Sequence, residues 1–149
     1  MRDKATLAGR SGYVLVAEDD AAIGRLLETI ISESGLPVRV ARTGHEALAH
    51  AEKDPPAVLV LDLGLPGLYG TSVAVTLKRT NPKLPIVVIS AMPTDVVVQD
   101  SWSIGAYAYF TKPFECDDVV RKVHSAWQIS EPKLACRAKE KLDIPSTAA

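Results

Sequence analysis

Cysteine is scarce in this chain of 149 residues: Cys116 and Cys136 are its only two. No cysteine–histidine cluster has zinc-ligand spacing. A disulfide framework and a structural zinc site are therefore both excluded, and a reducing compartment fits. An excess of either charge is missing as well. Seventeen basic side chains against eighteen acidic ones leave a formal charge of -1, which argues against a nucleic-acid-coating protein and an acidic disordered tail. No apolar run approaches the ~18 residues of a membrane span, and the opening MRDKATLAGRSGY lacks the apolar centre of a secretory signal. What is present is a 47% share of apolar residues, enough to bury one core at a length that suits one domain. The expectation is a soluble, cytoplasmic single domain.

Short apolar runs recur at even intervals: YVLVA at 13–17, VRVA at 38–41, AVLVL at 57–61, IVVIS at 86–90 and AYAYF at 106–110. The first, third and fourth are apolar on successive residues, as strands covered on both faces must be. VRVA and AYAYF alternate, which predicts edge strands. Helical patterns fill the gaps. Ile23, Leu26, Leu27, Ile30 and Ile31 form one stripe after Asp20, stopped by Gly35 and Pro37. Gly24 inside that helix suggests a close backbone approach. Thr43 and Glu46 make a capping box for a second helix. A third is expected from about Ser72 to Arg79, and a fourth capped by Thr94 or Asp95. Glu115, Asp117 and Asp118 suit the start of a fifth, with Cys116, Val119, Val123 and Trp127 as its apolar stripe. All ten prolines fall between or at the ends of these runs. The alternation predicts an α/β fold, a flavodoxin-like doubly wound parallel sheet of five strands in the order 2-1-3-4-5 with five helices. Residues 1–11 read as a flexible arm, 12–129 as the domain, and 130–149 as a tail or linker stub.

In such a sheet ligands bind at the carboxyl ends of the strands, where the strand order reverses. Both strands at that point end in acid: Glu18, Asp19 and Asp20 follow the first, and Asp62 follows the third. Adjacent carboxylates at the mouth of an apolar sheet repel one another and lose hydration. A hard divalent cation with oxygen ligands relieves both problems, and Mg²⁺ suits one or two carboxylates plus a phosphate. Asp20 also suits a helix cap. Asp62 does not, because GLPG follows it rather than a helix. The fourth strand ends in Ser90 and the fifth in Thr111-Lys112-Pro113-Phe114, so a hydroxyl and an ammonium converge on the acids. Singly, either is ordinary surface. Together these groups are the parts of a phosphoryl site: nucleophile, metal cage, hydroxyl donor and counter-cation.

The acids after the first strand, Asp62 in DLGLPG, Ser90 after IVVI, and the run YFTKPF resemble the receiver domain of two-component response regulators. The likeness covers residues 12–128, with the motifs in order and at suitable spacing. It implies that Asp62 accepts a phosphoryl group from a phosphohistidine on a sensor histidine kinase or a histidine phosphotransfer protein. It further implies that Asp19 and Asp62 hold Mg²⁺ directly, Glu18 helps through water, and the Gly64 carbonyl completes the cage. Ser90 and Lys112 would meet phosphoryl oxygens, Lys112–Pro113 would be cis, and Tyr109 would be the switch aromatic that follows Ser90. The output would be a downstream protein or a second copy, docked on the face of the fourth helix, fifth strand and fifth helix. Trp102, Tyr107 and Trp127 are available there, although packing is the simpler role for Trp127. Self-phosphorylation and autodephosphorylation would be the chain's only catalysis, so it is not expected to be an enzyme with an outside substrate.

Three features depart from the family pattern. Tyr69-Gly70 stands where Asp-Gly is common, Glu18 replaces an aspartate, and Gly64 and Met92 occupy positions whose side chains influence hydrolysis. A Mg²⁺-dependent aspartyl-phosphate hydrolase is an alternative, weakened by Gly64 in place of a general acid. A flavodoxin-like cofactor carrier would need a phosphate-cradling loop where this chain has Glu18-Asp19-Asp20. A phosphorylation-independent pseudo-receiver usually lacks one of the acid, hydroxyl and lysine groups. His45, His50 and His124 have no mutual metal spacing and read as helix-surface residues. Cys116 is expected in the core.

Overall fold

In the computed structural model, residues 12–130 are described; the arm at 1–11, Cys136 and the tail from 131 onward lie outside the described residues. The chain alternates strand and helix throughout: β1 Val14–Ala17, α1 Ala21–Glu33, β2 Val38–Ala41, α2 Gly44–Lys53, β3 Val58–Leu61, α3 Gly70–Thr80, β4 Ile86–Ser90, α4 Thr94–Ile104 and β5 Ala108–Thr111. A fifth helix, α5, occupies 116–130. The five strands are parallel in the order β2-β1-β3-β4-β5. Expected and observed architectures agree.

Alternation along the strands divides the core in two. Leu15, Ala17, Leu59, Leu61, Ile86 and Val88 face α2, α3 and α4, burying Ala47, Val73, Leu77 and Val97. Val14, Val16, Val58, Val60, Val87 and Ile89 face the other way, against Leu27 and Ile31 of α1 and Val119, Val123 and Trp127 of α5. The three central strands are buried at every position, as strands sandwiched between helical layers must be.

Local chemistry sets most boundaries. Asp20 caps α1, accepting from the N–H groups of Ala22 at 2.9 Å and Ile23 at 3.0 Å. Thr43 Oγ1 accepts from Glu46 N–H at 3.1 Å, while the Glu46 carboxylate reaches back one residue further than a standard box, to Arg42 N–H.

Several expectations need correction. Leu26 is exposed, so the apolar stripe of α1 is narrower than its sequence suggests. A side chain at Gly24 would meet only ordinary contacts, the nearest at 3.5 Å, so no close approach explains that glycine. α3 starts two residues earlier than Ser72, because the Tyr69 carbonyl accepts from both Ser72 and Val73. Pro93, not Thr94 or Asp95, occupies the N-cap of α4, and no side chain caps that helix. β5 begins at Ala108; Tyr107 only joins the edge through its N–H to the Ile86 carbonyl at 2.8 Å. Cys116 is half-buried at the start of α5, away from the core proper. His124 is partly buried, its Nε2 lying 2.8 Å from Ser34 Oγ.

Candidate functional site

The carboxyl ends of β1 and β3 lie side by side, in the register Ala17 with Leu61. The residues that follow, Glu18 and Asp62, therefore leave the sheet at the same height. Both are buried, at 1% and 7% exposure, whereas Asp19 is exposed. Glu18, Asp19 and Asp62 each offer a carboxylate oxygen, and these atoms lie within 4.8 Å of one another.

Two of the three acids share one cation. Lys112 Nζ is 2.9 Å from Glu18 Oε1 and 3.3 Å from Asp62 Oδ2. Its N–H donates to the Ser90 carbonyl at 2.9 Å, which levels the end of β5 with the end of β4, and the Lys112–Pro113 peptide is cis, as expected. The other oxygens are held by backbone. Asp20 N–H donates to Glu18 Oε2 at 3.1 Å and Gly64 N–H donates to Asp62 Oδ1 at 3.0 Å. Glu18 Oε1 has no partner other than the Lys112 ammonium.

Burial dominates the electrostatics. It pushes the Glu18 carboxyl up to about 7, against the opposing pull of Lys112 and the Asp20 N–H and with the Asp62 charge adding to the rise. Burial also works against the Lys112 ammonium, but the Glu18 and Asp62 carboxylates outweigh it and raise that group above its usual range. The site is thus short of positive charge: one ammonium faces three acids. All-oxygen donors in this number suit a hard divalent cation such as Mg²⁺. The acidic cluster can bind a metal ion.

Ser90 is fully buried at the end of β4, its Oγ accepting from Met92 N–H at 3.1 Å. Met92 turns its side chain onto the α2–α4 core. A side chain at Gly64 would start 3.7 Å from Asp62 Oδ1, so glycine leaves that flank of the carboxylate open. Tyr109 is turned outward and 45% exposed. Trp102 is 81% exposed and Tyr107 is partly exposed, while Trp127 is core.

Gly70, in the Tyr69-Gly70 pair that departs from the family pattern, is the first residue of α3 and has no positive φ. In the loop before it the positive φ falls at Gly67, at 81°, and Gly70 has a packing role. A Cβ at Gly70 would lie 2.7 Å from the Asp62 carbonyl oxygen. The signal was the glycine itself, at a position that needs no positive φ.

Among the described residues no helix is long and apolar enough to cross a membrane. A family model for the response regulator receiver domain matches residues 14–124. The DNA-binding transcriptional regulator NtrC of Salmonella typhimurium is 31% identical over 115 residues, covering 77% of this chain and 24% of that protein. The alkaline phosphatase synthesis transcriptional regulatory protein PhoP of Bacillus subtilis is 34% identical over 118 residues, covering 79% of this chain and 49% of that protein. The chain thus spans about a quarter of the one relative and about half of the other. Among solved structures, the receiver domain of the Francisella response regulator 1452 is 32% identical with a TM-score of 0.71, covering 77% of this chain and 95% of that one. A CheY-like receiver domain protein from Methanospirillum hungatei shares the fold, with a TM-score of 0.76 at 24% identity over 83% of this chain and 98% of that one. Fold, site and relatives agree: the chain belongs to the response regulator receiver domain family, the signalling domains of two-component systems.

Proposed function

We propose that Asp62 is the phosphoacceptor, taking a phosphoryl group from a phosphohistidine on a sensor histidine kinase or a histidine phosphotransfer protein. A carboxylate oxygen of Asp62 attacks phosphorus, the phosphorus–nitrogen bond breaks, and the leaving imidazole takes up a proton. The product is a mixed anhydride on Asp62. Asp19 and Asp62 would hold Mg²⁺ directly, with Glu18 acting through water and the Gly64 carbonyl completing the set. Bound there, the ion would neutralise charge between the carboxylates and the phosphoryl oxygens.

The observation that carries this reading is the buried Asp62 carboxylate, 3.3 Å from Lys112 Nζ and clustered with Glu18 and Asp19 at the point where strand order reverses. A phosphoryl group brings acceptor oxygens within reach of Lys112 and of the Ser90 hydroxyl. A few charge-assisted hydrogen bonds of this kind supply about 1–3 kcal/mol, enough to bias a two-state loop. Movement of Ser90 towards the phosphoryl group draws Tyr109 inward from its exposed position. The face of α4, β5 and α5, where Trp102 and Tyr107 stand exposed, then changes shape for a downstream protein or a second copy. The chain works in the cytoplasm as a signalling module, and its only catalysis is on its own phosphoryl group. Gly64, two residues past Asp62, leaves it without the general acid that a turnover hydrolase needs.

Incubation with Mg²⁺ and acetyl phosphate, followed by intact mass, tests the reading. One phosphoryl adduct is expected on the wild type, none on Asp62→Asn, and none when a chelator removes Mg²⁺. An adduct that survives in Asp62→Asn overturns the assignment.

A further inference from the structure

The loop between β3 and α3, residues 62–69, carries both Asp62 and Gly64. It is seated on the first residues of two helices, Gly70 of α3 and Gly44 of α2, and neither has a positive φ. A Cβ at Gly70 would lie 2.7 Å from both the Asp62 carbonyl oxygen and Leu63 Cα. A Cβ at Gly44 would lie 2.7 Å from Leu68 Cβ, 2.9 Å from the Leu68 carbonyl oxygen and 3.1 Å from Val73 Cγ2. Only hydrogen fits at either place. Space, rather than backbone conformation, selects glycine here.

The two contacts act on different parts of the loop. Gly70 presses on its first two residues and Gly44 on its far side, at Leu68. The start of α2 is itself fixed, because Thr43 Oγ1 accepts from Glu46 N–H at 3.1 Å and the Glu46 carboxylate takes Arg42 N–H. Leu68 therefore rests against a rigid first turn. A side chain at 44 would press on Leu68, and the loop runs back from Leu68 to Gly64, whose N–H holds Asp62 Oδ1 at 3.0 Å.

We infer that Gly44, which touches none of the acids, is a positioning residue for the Asp62 carboxylate, acting through Leu68 and the loop that carries Gly64. The inference rests on the assignment of Asp62 and Gly64 to the phosphoryl site. The contact that a side chain at 44 would disturb, Gly64 N–H to Asp62 Oδ1, is an outer hydrogen bond of the kind whose loss weakens metal affinity roughly ten- to a hundredfold.

The test compares the full wild-type chain with Gly44→Ala, Gly44→Ala/Leu68→Gly and the control Gly35→Ala. Gly35 has φ at 104° and nothing within 4 Å of a Cβ, so alanine there strains the backbone far from the loop. Amide exchange and chemical shift of Gly64 are read in the metal-free chain by NMR, and Mg²⁺ affinity by calorimetry. In Gly44→Ala the Gly64 amide should exchange roughly tenfold faster and Mg²⁺ should bind roughly tenfold more weakly. Leu68→Gly should recover part of both losses, while Gly35→Ala lowers the melting temperature and leaves both unchanged. A Gly44→Ala chain that melts earlier, yet keeps wild-type Gly64 exchange and Mg²⁺ affinity, overturns the inference. If Gly44→Ala does not fold, folding restored in the double variant supports the contact, and Leu68→Gly alone with wild-type Gly64 exchange overturns it. A wild type that binds no Mg²⁺ and takes no phosphoryl group defeats the functional reading instead, and the metal-free Gly64 exchange still judges Gly44.

Discussion

The helices on the acid side of the site, α1 and α2, and those beyond β3, α3 and α4, of which α4 belongs to the proposed responding face, begin differently. α1 and α2, which bracket β2, each begin at a side-chain cap, Asp20 and Thr43. α3 and α4 begin after Tyr69 and Pro93, with no side-chain cap hydrogen bond. α4 also carries three consecutive β-branched residues, Val96, Val97 and Val98, which are mediocre helix formers. Its buried face includes Ser101, whose Oγ makes no hydrogen bond. Its far end has a left-handed cap at Gly105, whose N–H reaches the Ser101 and Trp102 carbonyls, and Lys78 Nζ of α3 donates to the Gly105 carbonyl at 2.8 Å. The first turns on the acid side are thus fixed by side chains of their own local sequence, and those of α3 and α4 are not. On the proposed reading α4 belongs to the face that responds, and elements that move are drawn from the less stable end of a structure.

Ser101→Ala should blur that contrast most. Removing a buried hydroxyl that lacks a partner is expected to stabilise the chain by about 1–2 kcal/mol, read as a higher denaturation midpoint and slower amide exchange confined to α4. Exchange that slows equally in α1 and α4 would erase the distinction between the two sides. Lys78→Met should sharpen the contrast. Loss of the bond to Gly105 is expected to remove about 1 kcal/mol, with faster exchange in the last turn of α4 and unchanged exchange in α1 and α2.

Much of this was legible from the sequence, for physical reasons that differ by element. Central strands covered on both faces must be apolar throughout, so VLVA, VLVL and IVVIS declare themselves. The strand-end acids, Ser90 and Lys112 were legible because parallel topology brings all carboxyl ends to one edge. β5 was harder, since the alternation of AYAYF continues past the point where pairing starts. The sharing of Lys112 between Glu18 and Asp62, the Lys78–Gly105 bond and the lack of room at Gly70 join residues far apart in the chain or in tight non-local contact. No local pattern encodes them. Thr94 and Asp95 are good cap residues, yet Pro93 takes the position because the turn out of β4 fixes where α4 begins.

The smallest expected effect concerns the other end of α2, which is also anchored by a side chain. Tyr13 OH donates to the Asp54 carbonyl at 2.7 Å and lies 3.2 Å from that of His50, so the last turn of α2 is tied to the start of β1. Burial pushes the Tyr13 phenol above its ordinary value of 10.0; the Arg39 guanidinium opposes the shift and the Asp54 carboxylate adds to it. A raised value in the folded chain means that folding favours the neutral, donating phenol. Its contribution is therefore complete below pH 10.0 and is lost as pH rises from there through the folded value. Denaturation midpoints measured from neutral to strongly alkaline pH should fall more steeply for the wild type than for Tyr13→Phe, which cannot ionise. The amides that lose protection first should lie at the carboxyl end of α2. Parallel curves for the two proteins would mean that the phenol does not hold α2, and would weaken the case for an acid side anchored at both ends of that helix.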